Sequence, residues 1–230
     1  MNRQRRHDAN FRIALSGLLV ALMLVLGYIE SMIPLGAAVP GIKLGLSNGI
    51  LIFAVYMLDI PTAYCLMCLK VLLSGLMFGG VSAIAYAFAG GLLSLTGMCL
   101  LSRVKALRPA VVSVAGGVLH NVGQVGLAMI ILRTAGLAYY MGVLVLVGAA
   151  CGLLTGVCAG AVMKHLKAIG WKHAGGRTGK RGWAAIAAAA ALILLVGFMG
   201  ARSLQKTAPG NVTIEITSDS EVGFVDPFAK

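Results

Sequence analysis

ESMIPLGAAVPGIKLGLSN, residues 30–48, is the stretch on which the reading of the whole chain turns. It carries one carboxylate (Glu30), two prolines (Pro34 and Pro40), a Gly41-Ile42-Lys43 step and Asn48, with long apolar runs on both sides. Polar, proline-punctuated backbone between two membrane-length segments is either a plain connecting loop or a re-entrant, lid-like loop lining a ligand site. Irregular backbone at membrane depth survives only where protein or a water-filled cavity satisfies its polar groups.

The composition around that stretch fixes the class. Hydrophobic residues make up 59% of the chain and charged ones 11%, with a mean hydropathy of +0.93. A soluble domain carries about 25% charged residues, so this is an integral membrane protein. At about 20 residues per spanning helix, 230 residues leave room for six or seven spans. The 31 glycines suit helices that pack closely in lipid.

A net charge of +12 invites a nucleic-acid role. The charges sit instead at the ends of apolar runs, as membrane topogenesis requires, with no basic face interleaved with aromatics. No nucleic-acid partner is expected, and membrane lipid is. All five cysteines (Cys65, Cys68, Cys99, Cys151 and Cys158) lie inside apolar segments. Cys65-x-x-Cys68 has neither a second such pair nor a nearby histidine, so these read as small apolar residues rather than metal ligands.

Seven apolar segments follow in order: 11–28, 44–58, 62–78, 81–101, 109–132, 137–163 and 183–199. The first reads as a spanning helix rather than a signal peptide, because it is long and no small-x-small cleavage site follows it. Pro109 opens the fifth, since proline is accepted in a helix's first turn. After 200 the chain is a polar tail, with an alternating Val212, Ile214, Ile216 that predicts a short strand. With the N-terminus inside, cytoplasmic segments hold 13 of the 19 basic residues and outer ones 5, leaving Lys70 within a span. That bias predicts N-in and C-out, with 30–48 outside; removing a span would put a basic cluster on the wrong side.

Two features predict chemistry. Lys70 falls near the middle of the third segment, where an ionisable group costs about 2.5–3.5 kcal/mol and marks either function or a lysine that snorkels or is neutralised by Asp59 or Glu30. His120, Asn121 and Gln124 sit halfway along the fifth, His120 and Gln124 on one face. Buried amides and imidazoles need partners, on a neighbouring helix or on a ligand; three together favour a cavity. Gly17-x-x-x-Ala21 and Gly152-x-x-x-Gly156-x-x-x-Gly160 mark faces for close helix crossing, within the chain or to a partner.

The chain lacks a glycine-rich nucleotide loop, the nucleophile and metalloprotease motifs, and clustered carboxylates. No catalytic or metal-ligating residue and no cofactor is therefore expected, and ATP-driven transport would need another subunit.

Three stretches, Glu30 through Ile33-Pro34 to Pro40-Gly41-Ile42-Lys43-Leu44-Gly45-Leu46-Ser47-Asn48, then Lys70 to Gly79, then His120-Asn121-Val122-Gly123-Gln124, resemble the signature of the bacterial Gx transporter family. That family is also labelled heptaprenyl diphosphate synthase component I, and the likeness covers about residues 10–165. It commonly has arginine where this chain has Lys70. The resemblance implies an all-α polytopic protein with a six-helix unit similar to the S components of energy-coupling factor (ECF) transporters. The divisions would be a membrane domain at 1–165, a basic cytoplasmic loop at 166–182, an additional helix at 183–200 and an extracytoplasmic tail at 201–230.

In S components the loop after helix 1 helps to cover an outward-facing site. The resemblance thus implies a substrate-binding subunit in a bacterial cell membrane. Its ligand would be a small vitamin-like, flavin-, quinone- or prenyl-related molecule, held by Glu30, Lys43, Asn48, Lys70, His120, Asn121 and Gln124. Gly17 and Ala21 would face an ECF coupling subunit driven by ATPases. The alternative is a non-catalytic accessory subunit of a polyprenyl diphosphate synthase or of a membrane redox or flavin-transfer system. The aspartate-rich metal sites of a synthase are missing from these residues.

Overall fold

The computed structural model describes residues 3–32, 43, 45–134, 136–168 and 191. Among these residues six helices follow one another: α1 (Arg3–Met32), α2 (Gly49–Met57, entered through a 3-10 turn at Leu46–Asn48), α3 (Ile60–Ser74, prolonged by a π turn at Gly75–Gly79), α4 (Gly80–Leu101), α5 (Pro109–Leu132) and α6 (Leu137–Ala168). Among the described residues there is no strand. The chain is an all-α polytopic membrane protein. The expected helix at 183–199 (residue 191 apart), the strand at 212–216 and most of the 33–44 stretch lie outside the described residues.

Local chemistry explains most of the boundaries. Asp59, in extended conformation, caps α3 by accepting from Thr62 N at 2.9 Å and Thr62 Oγ1 at 2.7 Å, with Pro61 in the first turn. Pro109 opens α5 as the sequence predicts, after an extended Arg108. Four helical stretches (10–32, 60–101, 109–132 and 137–168) are long and apolar enough to cross a membrane. The second folds back on itself at Gly80, whose φ of +74° glycine adopts without strain. Tyr64 then pairs with Thr96 (2.8 Å), and Ile84 packs on Gly75, making α3 and α4 an antiparallel hairpin.

The segment expected at 44–58 forms a shorter helix, which carries the chain from the Glu30 end of α1 to the Arg12–Asp59 end. From Leu46 to Met57 it rises only about 18 Å, short of a hydrocarbon core of about 30 Å. It is a buried helix: Leu51, Ile52, Ala54 and Met57 are essentially inaccessible and cluster with Met23 of α1, Met67 of α3 and Leu95 and Met98 of α4. A smaller apolar cluster of Tyr86, Val125, Ala128 and Leu144 ties α4, α5 and α6.

Glycine sets the distance between α5 and α6. A methyl group on Gly117 would lie 2.2 Å from Gly148 O, and one on Gly152 would lie 2.6 Å from Ser113 O. Backbones approach this closely only without side chains between them, which is how helices associate where lipid removes the hydrophobic drive. Gly152 and Gly156 are therefore packing residues against α5, joined by Gly148, which the sequence pattern did not single out. Gly160 and Gly17 have nothing within 4 Å of a notional methyl, and Gly17 and Ala21 are exposed. Among the described residues those three are not crossing points.

Candidate functional site

The predicted polar residues arrive from four separate stretches and meet at one end of the bundle, beneath residues 43–48. Glu30 comes from the last turns of α1 and is 4% exposed. Its carboxylate accepts from the backbone N–H of Leu46 and of Ser47 (3.3 Å) and from Ser47 Oγ (3.4 Å), so it caps the turn that begins the α2 segment. A carboxylate there meets the orphan donors and positive end of a helix start.

Lys70 projects from α3 and donates to Asn48 Oδ1 at 3.0 Å. It is buried, and Glu30 is the carboxylate that faces it. Asp59, the other partner the sequence allows, lies elsewhere and pairs with Arg12 at 3.4 Å. Lys70 is thus a member of the polar cluster and not an isolated mid-membrane charge. One turn further along α3, Ser74 Oγ accepts from Lys43 Nζ at 2.9 Å. Partial burial pulls the Lys43 ammonium below the ordinary lysine range, with the Glu30 carboxylate opposing that shift.

Gln124 of α5 fastens the backbone of the same segment. Its Oε1 accepts from Lys43 N and its Nε2 donates to Lys43 O, both at 3.0 Å, as a neighbouring strand would. His120, one turn earlier, is fully buried and fills the space under Gly45. Gly45 has φ +83°, and a methyl on it would come within 2.7 Å of His120 Cδ2. Glycine is needed there both for the backbone and for the ring.

Asn121 points away, donating to Leu144 O of α6 at 2.6 Å. It therefore fastens α5 to α6, while Glu30, Lys43, Asn48, Lys70, His120 and Gln124 form the cluster. Among the described residues, no three His, Cys, Asp or Glu gather where they could hold a metal ion.

Sequence reasoning missed Ser47, Ser74, Gly45 and Ser94. Ser74 had a signal, since it follows Lys70 by one helical turn and so shares its face. Ser94, 0% exposed on α4, had none. Its Oγ and Asn48 Nδ2 have no hydrogen-bond partner, and both residues line a small cavity of about 10 Å³ with Ser113 and Thr155. That is room for about one water.

The cluster combines two ammonium groups with one carboxylate, backbone donors and an amide clamp, all at one end of an apolar bundle. Such a set can hold an anionic or hydrogen-bonding group; it contains no activated nucleophile. A sequence profile described as heptaprenyl diphosphate synthase component I matches residues 19–162, which includes every residue of the cluster. The chain belongs to that family. A comparison with curated proteins and one with solved structures each found no match. The heptaprenyl diphosphate synthase component I region thus runs from within α1 to within α6 and leaves residues 1–18 and 163–230 outside it.

Proposed function

We propose that the chain is a non-catalytic, ligand-binding membrane subunit of a larger assembly, similar in role to an ECF S component. It would sit in a bacterial cell membrane with its N-terminus inside and its C-terminus outside. The observation that carries this is the convergence of Lys70, Ser74, His120 and Gln124 on the short stretch that bears Lys43, Gly45 and Asn48, with two lysines set against one carboxylate. Lys70, Ser74 and Gln124 hold the segment down through a handful of polar contacts, each of which a ligand group can replace, while His120 packs beneath Gly45. Releasing it frees two ammonium groups and an amide in an otherwise apolar setting, the usual make-up of a small-molecule site. The ligand class that suits them is a small anionic, vitamin-like, flavin-, quinone- or prenyl-related molecule.

A coupling subunit and ATPases would supply the energy, because the chain carries no nucleotide loop. The exposed Gly17 and Ala21 on α1 suit contact with such a partner. Lys70→Ala and His120→Ala are expected to weaken uptake while membrane insertion persists; normal uptake by both would remove them from the site. Mass spectrometry of small molecules that co-purify with the full chain identifies the ligand.

The second reading is an accessory subunit of a polyprenyl diphosphate synthase or of a membrane redox or flavin-transfer system. It is favoured by the family description, in which "component I" implies a further component. A pull-down in mild detergent separates the two. ATPases with a membrane coupling protein support uptake, whereas a soluble prenyltransferase or redox protein supports the accessory role.

A further inference from the structure

Leu15, Leu18, Leu19, Leu22 and Leu26 recur at helical spacing along α1, and Glu30 follows Leu26 by one further turn on the same face. This face looks across to Leu154, Cys158 and Val162 of α6, with Ile50 and Phe53 of α2 as the floor between. The space is an apolar groove of about 590 Å³, within the roughly 300–1,000 Å³ typical of ligand sites.

What lies at the head of the groove says what it fits. Gly49 and Thr155 line both the groove and the small cavity behind it, where Asn48 Nδ2 and Ser94 Oγ stand unpartnered and buried. Beyond Asn48 is the Lys70 ammonium, and beyond Leu26 is Glu30 with its partners Leu46 and Ser47. The groove is thus apolar along its length, and the polar cluster, with two ammonium groups to one carboxylate, begins beyond its head.

We propose that the groove holds the hydrocarbon chain of a single-chain lipid whose anionic head is received by the Lys43 and Lys70 cluster. This deepens the ligand-binding role above and rests on it. A polyprenyl phosphate and a fatty acid share this chemistry, and the test separates them.

The probe is a farnesyl diphosphate analogue with a photoactivatable group at the far end of its chain, applied to the full-length protein. Crosslinks are expected on α1 residues 15–22 and α6 residues 158–166, the end remote from the cluster. Unlabelled farnesyl diphosphate at ten times its Kd should lower them about tenfold, and Val162→Trp should abolish them. Leu22→Trp serves the same purpose if the first variant is not recovered.

Equal competition by palmitate supports the proposal with a fatty acid as the source. Equal competition by farnesol overturns the anionic head. Crosslinks spread over the exposed Leu69, Leu72, Leu76 and Met77, or undiminished in both tryptophan variants, overturn the groove. A water-soluble anion retained through Lys70, without groove crosslinks, would sink this proposal and leave the binding role standing. Failure to retain any ligand, with Lys70→Ala unchanged, would sink the binding role itself.

Discussion

The two sides of α6 solve the same problem in opposite ways. Toward α5 it presents Gly148, Gly152 and Gly156, and the two backbones touch. Toward α1 it presents Leu154, Cys158 and Val162, and the helices stand apart across a groove. Both faces are free of charge, so hydropathy cannot tell them apart. In lipid, apolar side chains have equally good company in acyl chains, and close fit decides which neighbours join. Glycine closes the first interface; bulky leucines facing one another hold the second open.

The strongest way to break this contrast is Gly152→Leu. Its side chain would have to enter the backbone of Ser113 and Val114, and overpacking of this kind costs about 1–3 kcal/mol or more. Loss of the monodisperse peak in size-exclusion chromatography is the expected result; a variant as stable as the parent would show that the α5 contact is not tight.

Next comes the polar end that both interfaces share. Lys70→Ala leaves Asn48 Oδ1 buried without its donor and should lower thermal stability by about 1–3 kcal/mol. Glu30→Gln combined with Lys70→Met should recover part of that loss, because the facing charges go together. A strictly additive double variant would mean that the two do not interact.

Gln124→Leu removes both hydrogen bonds to Lys43. The expected loss is about 1–2 kcal/mol, read as faster amide exchange at residues 43–48, while α5 and α6 exchange as before. Unchanged exchange would mean that the segment is held without this clamp. The smallest effect belongs to Gly160→Leu, which has open space around it and should fall within about 0.5 kcal/mol of the parent. Set beside Gly152→Leu, it tests whether a glycine stripe or only part of it packs.

Much of this was legible in the sequence, for physical reasons that also explain the gaps. Pro109 and the Asp59-Pro61 pair are local signals, and the helices start beside them. Lys70, His120 and Gln124 stood out because polar groups in an apolar run must find partners, and the structure brings them together. Asn121 met the same requirement through a backbone carbonyl of α6, a partner that has no sequence signature. That α2 would be short and protein-covered was not legible, because an apolar run looks the same whether lipid or protein surrounds it. The stripe ending at Gly160 was read by spacing alone, and α5 meets only its first part. The groove was hidden because leucines that line it resemble leucines that face lipid.

The two contacts that bracket α1 carry a consequence for the surrounding bilayer. Arg12 is tied to Asp59 at one end, and Glu30 to the start of the α2 segment at the other. The intervening turns of α1 rise about 27 Å, against about 30 Å for an average hydrocarbon layer. These two polar bands therefore act as rulers for membrane thickness. In reconstitution series of increasing acyl length, lipids thicker than that separation should strain both bands at once and favour tilt or local thinning around α1.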